Sequence, residues 1–222
     1  MDNWQERTEQ LLGATATRRL QQAHVLIVGV GGVGAWAAEM IGRAGVGEIT
    51  LVDADDVQPS NINRQLPALH STVGLSKTEI VGQRLLDINP DLDVTAVVGI
   101  YNKENAADYR LEDYDIIVDA IDSLQPKADL IRHATGLGKR EGAEGQRAEG
   151  VYPIFVSAMG AALKMDPTKL QVAEFWKVKG CPLARALREK FKRQKSFPAR
   201  KFKCVFSEEV LPNRGAEGYV AS

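Results

Sequence analysis

The chain has 222 residues and a mass of 24.3 kDa, with 44% hydrophobic and 26% charged residues, which is typical of a globular protein and excludes a disordered or collagen-like one. Its 28 lysines and arginines nearly balance its 29 aspartates and glutamates, so the net charge of −1 gives no general attraction to nucleic acids or membranes. Two cysteines are too few for a four-thiolate zinc site. The sequence shows neither a signal-peptide pattern nor an apolar run long enough to span a bilayer, so we expect a cytoplasmic protein without membrane insertion.

The predicted elements alternate between strands and helices along the chain. Residues 25–28 form an unbroken apolar, β-branched run, which is typical of a strand buried on both faces of a parallel sheet. A glycine turn, a helix over 35–41 and a second strand over 48–53 complete a βαβ unit. The later predicted elements are helices over 77–89, 125–135 and 183–191, and strands over 93–98, 114–121 and 152–158. This alternation predicts an α/β fold, a Rossmann-like, doubly wound mixed sheet with flanking helices and a basic C-terminal lobe.

The sequence divides into three predicted parts. Residues 1–24 form an N-terminal helical segment, residues 25–176 an α/β domain, and residues 177–222 a basic C-terminal segment. Within the α/β domain, residues 136–150 carry five glycines among charged residues and almost no apolar side chain. That composition predicts a flexible surface loop.

Positive charge is concentrated between Lys177 and Lys203. This stretch contains eleven basic residues and one acid, Glu189, so it carries +10 against −11 for the rest of the chain. Such a one-sided block repels itself unless a polyanion relieves the repulsion. We therefore expect it to contact a nucleic-acid backbone, the alternative being a solvated helix face.

A glycine-rich turn, Gly29-Val-Gly31-Gly32-Val-Gly34, lies between the first predicted strand and its helix. There, bare backbone N–H groups and the helix N-terminus can meet phosphate oxygens. Asp53, which is 19 residues past Gly34 at the end of the second strand, is placed to bind ribose hydroxyls. By itself this pattern would favour an enzyme that binds a nicotinamide or flavin dinucleotide.

Three charged residues further along favour a different reaction. Hydride transfer leaves the charge of a pyrophosphate diester unchanged, so it needs no convergent cations. Breaking a bond to an α-phosphate builds charge on a leaving pyrophosphate, which calls for arginine, lysine and a metal-binding aspartate. Arg64, Lys77 and Asp122 are such a set.

In these motifs the sequence resembles the ubiquitin-activating-type adenylating enzymes, which include the ThiF and MoeB proteins. The shared words are GVGGVG, the strand-ending Asp53, SNINRQ at 60–65, the lysine of GLSKTE and DAIDS at 119–123, in matching order over about residues 7–123. The resemblance implies binding of ATP with Mg²⁺ in the α/β domain. It also implies attack of a carboxylate oxygen on the α-phosphate, giving an acyl adenylate and pyrophosphate.

The resemblance also implies roles for individual residues. Asp53 would hold the ribose, Asn61, Arg64 and Lys77 the triphosphate, and Asp122 the Mg²⁺ ion. Arg7 matches an arginine that family members extend into the partner subunit's ATP site, which implies a homodimer. The full set of implied nucleotide-binding residues is Gly29, Gly31, Gly32, Gly34, Asp53, Asn61, Arg64, Gln65 and Lys77, and Arg7, Arg64, Lys77 and Asp122 are the implied catalytic residues.

Each charged candidate has a structural alternative. Arg64 suits a surface ion pair and Asp122 a helix cap. Lys77 and Arg7 suit exposed positions on helices. Each alternative accounts for one residue only, so several of them would have to hold by chance at once to explain why the motifs occur together in this order.

Within that family the sequence is most similar to the branch of tRNA threonylcarbamoyladenosine dehydratases. The paired cysteines typical of sulfur-carrier activators are missing, and shared phrases occur at 64–70, 73–77, 88–90, 119–127, 165–168 and 204–208. This resemblance implies ATP-dependent cyclisation of the threonylcarbamoyl group on adenosine 37 of tRNA. The basic segment would then contact tRNA through Arg185, Arg188, Lys192, Arg193 and Lys195.

Other functions stay open from the sequence. One is adenylation of the C-terminal glycine of a ubiquitin-like sulfur carrier, another is a non-catalytic nucleotide- or tRNA-binding scaffold, and a dehydrogenase is the most distant. Cys204 suits either a sulfur-handling nucleophile, which would imply a sulfur-transfer partner, or a packed core position.

Overall fold

A computed structural model describes residues 4–138 and 153–212. Most of the expected loop at 136–150 and the end of the 177–222 segment lie outside these residues. The described residues form helices α1 (Glu6–Leu12), α2 (Ala14–Gln21), α3 (Gly34–Arg43), α4 (Lys77–Ile88), α5 (Leu124–Gly136) and α6 (Pro182–Gln194). Their strands are β1 (His24–Val28), β2 (Glu48–Asp53), β3 (Asp93–Val98), β4 (Ile116–Asp119), β5 (Ile154–Ala158), β6 (Leu170–Glu174) and β7 (Lys203–Ser207).

The strands form one mixed sheet in the order β3-β2-β1-β4-β5-β7-β6. All neighbours are parallel except β6 and β7, which pair antiparallel. The prediction of a Rossmann-like mixed sheet with flanking helices is confirmed. Because the strand order reverses between β1 and β4, a crevice is expected at their carboxyl ends, where sheets of this kind bind ligands.

Helices cover both faces of the sheet. This cover explains why every residue of the predicted strand 25–28 is apolar. Val25 and Ile27 belong to the hydrophobic cluster with α3 and α4, whereas Leu26 and Val28 belong to the cluster with α5 and α6. Successive strand residues point to opposite faces, so a strand covered on both sides needs apolar residues at every position.

The basic C-terminal segment contributes to this same sheet. β7 lies between β5 and β6, and Phe191, Phe202 and Phe206 are buried in the core cluster that contains α5. The expected boundary at residue 177 therefore does not separate two cores. Phe191 and Phe202, which are interleaved with the lysines and arginines, point inward, whereas Phe197 stays exposed, a difference that the charge count alone does not reveal.

Within the described ranges 4–138 and 153–212, no helix combines the length and the apolar character needed to cross a membrane.

Candidate functional site

The crevice between β1 and β4 is lined by two loops in close contact. Gly29 follows β1 with φ of 90°, and a Cβ atom there would lie 2.7 Å from the carbonyl oxygen of Ala120, which follows β4. Gly34 begins α3, and a Cβ atom on it would lie 1.7 Å from the carbonyl oxygen of Gly29. Gly29 and Gly34 are thus glycines because the turn folds tightly onto itself and onto the β4 loop.

We expect Gly34→Ala to destabilise the fold by about 3 kcal/mol or more, because the added methyl group meets backbone atoms that cannot move aside. Gly31→Ala is the matched control, since a Cβ atom at Gly31 meets only the Gln65 side chain, at an ordinary 3.6 Å. Thermal unfolding of both variants measures the difference. Equal stabilities would contradict this account of the turn.

Asp53 ties the glycine turn to the end of β2. Its Oδ2 accepts a 2.6 Å hydrogen bond from the Val30 backbone N–H, and its Oδ1 accepts one of 2.9 Å from Asp55. A carboxylate oxygen has two lone pairs, so both oxygens can still accept hydrogen bonds from hydroxyl groups. The carboxylate is half-buried at the carboxyl edge of the sheet, where the sequence places a ribose ligand.

Lys77 is the first residue of α4, and its side chain is buried although the position begins a helix. Its Nζ donates a 2.7 Å hydrogen bond to Oδ2 of Asp55, whose side chain is 70% exposed. The alternative of an exposed surface lysine therefore does not apply. An ammonium group held by a solvated carboxylate can exchange or share that partner with a phosphate group.

The loop of residues 60–65 packs over the glycine turn. Cβ atoms on Gly31 and Gly32 would face the side chains of Gln65 and Arg64, each at 3.6 Å. The exposed Arg64 guanidinium donates to the Ser60 carbonyl oxygen at 3.0 Å and to Asn63 Oδ1 at 2.9 Å, rather than to an acidic residue as in the ion-pair alternative. These neutral acceptors leave its positive charge available to a phosphate.

Asn61 shapes the loop that carries Arg64. It is buried, and its Oδ1 accepts a 3.0 Å hydrogen bond from the Gln58 backbone N–H, which closes the turn at Pro59–Asn61. Its amide oxygen thus already has a partner within the loop. Only the amide NH₂ group of Asn61 is suited to donate to a phosphate.

Asp122 is exposed in the loop between β4 and α5. The N-cap position of α5 is Ser123, so the helix-cap alternative does not apply to Asp122. No cluster of three or more potential metal ligands occurs among residues 4–138 and 153–212. The single carboxylate of Asp122 suits Mg²⁺, which proteins usually hold through one or two carboxylates together with substrate phosphates.

The sequence did not single out Lys127 as a site residue, yet it fixes the loop that carries Asp122. Lys127 is fully buried in α5, and its Nζ donates to the carbonyl oxygens of Ile121 at 3.0 Å and Ala158 at 2.7 Å, and pairs with Asp119 Oδ2 at 2.9 Å. Asp119 also accepts from Ser157 Oγ at 2.6 Å and from the Ile121 backbone N–H at 3.1 Å. The Ile121 residue, immediately before Asp122, is therefore held at both its N–H and its carbonyl oxygen.

A signal for Lys127 does exist in the sequence. Lys127, Ile131 and Ala134 follow the i, i+4, i+7 spacing of a buried helix face, and all three are buried. A lysine at a core position of such a stripe indicates a buried charge with a dedicated partner.

Arg7 lies apart from the other candidates. It is exposed on α1. Gln5, two residues earlier, accepts a 3.0 Å hydrogen bond from Gln21. Gln21 is the last residue of α2 and lies just before the amino end of β1. Because the glycine turn is at the opposite, carboxyl edge of the sheet, the chain does not bring Arg7 to its own crevice.

Comparison with known proteins identifies the family. The sequence profile of the ThiF family matches residues 5–199. The chain belongs to the ThiF family. It is similar to the tRNA threonylcarbamoyladenosine dehydratase of Escherichia coli K12, with 38% identity over 229 residues that cover 100% of this chain and 80% of the relative. It is also similar to the tRNA threonylcarbamoyladenosine dehydratase of Haemophilus influenzae, with 36% identity over 95% of this chain and 78% of the relative.

A solved structure is also similar over nearly the whole of this ThiF-family chain. It is E. coli TcdA in complex with ATP, with a TM-score of 0.82, 38% identity, and coverage of 97% of this chain and 86% of that one. The predicted family resemblance is therefore confirmed.

In this ThiF-family chain both cysteines are buried. Burial raises the pKa of the Cys204 thiol to about 12, so the thiol stays protonated near neutral pH. Cys181 Sγ accepts a 3.4 Å hydrogen bond from the Ala184 backbone N–H and caps α6. Of the two alternatives for Cys204, the structure favours a packed core residue over a nucleophile.

The five basic residues expected to contact tRNA differ in their surroundings. Arg188 donates to the carbonyl oxygens of Phe175 and Val178 at 3.2 and 3.0 Å, and Arg185 pairs with Glu189 at 3.0 Å. The other three, which are Lys192, Arg193 and Lys195, are exposed at the C-terminal end of α6. Arg188 is thus mainly structural, and the exposed three are the better candidates.

Helix α6 runs from the carboxyl edge of the sheet to its amino edge. At its start, a Cβ atom on Gly160, just after β5, would lie 3.6 Å from Leu183 Cβ. Beyond its end, the Ala199 backbone N–H donates to Thr135 Oγ1 near the end of α5. At about 1.5 Å per residue the helix is about 20 Å long, so its exposed basic end lies about that far from the crevice edge.

Proposed function

We propose that this ThiF-family chain is an ATP-dependent tRNA threonylcarbamoyladenosine dehydratase acting in the cytoplasm. The observation that carries the proposal is the convergence of the glycine turn, Asp53, Lys77 and the Asp122 loop at one edge of the sheet. Relatives of that name, 36–38% identical over nearly the whole chain, support the substrate. The E. coli TcdA complex supports ATP as the nucleotide.

The crevice residues suit the activation of a carboxylate. ATP binds with its ribose against Asp53 and its triphosphate over the glycine turn, next to Arg64 and Lys77. An oxygen of the threonylcarbamoyl carboxylate attacks the α-phosphorus, and pyrophosphate leaves to give an acyl adenylate. Arg64 and Lys77 stabilise the charge that develops on the leaving pyrophosphate. Asp122 would hold Mg²⁺, which when bound neutralises phosphate charge.

The second half-reaction needs no further nucleophile from the protein. The carbamoyl group of the same substrate attacks the activated carbonyl carbon and loses a proton, and AMP leaves as the ring closes. The nucleophile is intramolecular, so its effective concentration is high. The buried Cys204 thiol is not required, and no sulfur-transfer partner takes part in this proposal.

The position of Arg7 suits action on a second copy of the chain. Because α1 lies at the amino edge of its own sheet, Arg7 reaches an ATP site only in a homodimer. We propose this arrangement together with the function.

Neutralising the exposed basic end of α6 is expected to weaken tRNA binding. The triple variant Lys192→Gln, Arg193→Gln, Lys195→Gln should lower affinity and reduce the slope of log K against log salt by about 2, because three phosphate contacts are lost. Fluorescence anisotropy over a salt series measures both quantities. Arg185→Gln is the control, since Glu189 already neutralises that arginine. Unchanged affinity in the triple variant would assign tRNA binding to another surface.

Mass spectrometry of nucleosides tests the proposed function directly. Threonylcarbamoylated tRNA is incubated with the protein, ATP and Mg²⁺, then digested. A loss of one water from the modified nucleoside is expected. Pyrophosphate exchange that depends on a ubiquitin-like carrier instead of tRNA would overturn the proposal in favour of sulfur-carrier activation.

A further inference from the structure

Two exposed aromatic side chains contact each other on the side of the sheet that carries α6. Trp176 is 42% exposed and Phe197 is 53% exposed, and their ring centroids are 6.2 Å apart. Trp176 follows β6, whose last residue pairs with Lys203 at the amino end of β7, and Phe197 follows the C-terminal end of α6. The pair therefore lies beside the exposed basic end of that helix and away from the ATP crevice.

The aromatic pair is supported from below. The Phe175 ring packs edge-on against Trp176 with centroids 5.2 Å apart, and Phe175 itself is fully buried against Phe191 and Phe202. The Trp176 backbone N–H donates a 3.1 Å hydrogen bond to Glu174 Oε2. The indole is thus held by packing and by its turn while one side stays open to solvent.

The surroundings of the pair are strongly positive. Exposed basic residues adjoin it in the chain on both sides, and they are Lys177, Lys192, Arg193, Lys195, Lys201 and Lys203. Glu174 is the acid next to Trp176, and its Oε2 already accepts the backbone hydrogen bond. Exposed aromatic rings within a positive rim are the arrangement by which proteins stack unpaired bases while neutralising the adjoining phosphates.

We propose that Trp176 and Phe197 form a stacking platform for an unpaired base of RNA, with the surrounding lysines binding its backbone. The identity of that RNA as tRNA rests on the proposed function, whereas RNA stacking can be measured without catalysis. The platform is a second RNA contact, separate from the crevice in which the adenosine reacts.

Tryptophan fluorescence tests the platform. The chain has three tryptophans, so the double variant Trp4→Phe, Trp36→Phe leaves Trp176 as the single reporter. Short oligouridylate RNA should quench its emission, because a stacked base contacts the indole. Heparin, a polyanion without bases, should bind with a similar salt dependence and leave the emission unquenched.

Affinity measurements separate stacking from charge. Trp176→Ala should weaken oligouridylate binding about 10-fold, the equivalent of about 1.4 kcal/mol for one base stack, without changing the salt slope. Trp176→Phe should retain most of the affinity. Trp4→Ala is the matched control, because Trp4 is 48% exposed. Thermal unfolding is measured for every variant, and affinities are compared only among variants that unfold at the same temperature as the unmodified protein.

Three outcomes would overturn the platform. These are the absence of quenching by RNA, an affinity unchanged in Trp176→Ala, and a dimer in solution that Trp176→Ala dissociates, which would assign the face to a second copy of the chain. The proposed function is judged separately by the nucleoside assay. Quenching of Trp176 emission by RNA without dehydration of the nucleoside would rule out the proposed function alone. Dehydration of the nucleoside without quenching would rule out the platform alone.

Discussion

Lys77→Met is expected to lower the rate of tRNA-dependent pyrophosphate release by about 10²-fold or more, with little loss of stability. The lysine provides positive charge where charge develops on the leaving group, and removing such a preorganised group has an effect of this size. Its partner Asp55 is exposed, so water solvates the carboxylate that the substitution leaves behind. Steady-state kinetics and thermal unfolding of the same preparation measure the two effects.

Two comparisons sharpen this prediction. Lys103→Met removes an exposed lysine that is neither a candidate site residue nor part of the basic stretch 177–203, and it should leave pyrophosphate release unchanged. Asp122→Ala should share the rate loss, since it removes the candidate Mg²⁺ ligand. Full activity in Lys77→Met would show that the crevice does not activate a carboxylate in the manner proposed.

Lys127→Met is expected to destabilise the fold by about 3–5 kcal/mol, because it leaves the Asp119 carboxylate buried without its cation. Both side chains are fully buried, so water cannot compensate as it does for Asp55. Chemical denaturation measures the loss. Lys190→Met, at a lysine that is only 9% exposed on α6, is the matched control for removing a mostly buried lysine stem.

A double variant separates the buried charge from simple packing. In Lys127→Met, Asp119→Asn, the uncompensated charge is gone, so part of the lost stability should return. A double variant no more stable than Lys127→Met would show that packing of the lysine stem, and not the ion pair, carries the effect.

The sequence predicts the fold well where a single physical constraint acts on each residue. The unbroken apolar run of β1 requires cover on both faces, and the two core clusters provide it. The predicted strand over 114–121 is longer than β4, which ends at Asp119 because that side chain turns to accept the Ile121 N–H. A carboxylate that ends a strand in this way depends on Lys127 in the next helix, and strand propensity does not include that contact.

Side-chain surroundings at the site are less predictable than the chain path. Lys77 looks like an exposed helix start in sequence, yet it is buried and its ammonium group donates to Asp55. Arg188 looks like part of a basic surface, yet it is bound to two backbone carbonyl oxygens. Both outcomes depend on residues brought close only by the tertiary fold, so a count of charges along the chain cannot distinguish a structural cation from an available one.

The orientation of α6 sets a minimum reach for the RNA. The helix separates the crevice from its exposed basic end by about 20 Å, so under the proposed function one RNA molecule must extend across that distance to contact both. A modified hairpin trimmed below this span would still be turned over at the active centre, but it would be captured weakly. Under the proposed function, such truncated substrates should therefore show a raised KM and a nearly constant kcat, so that activity would depend on the size of the RNA.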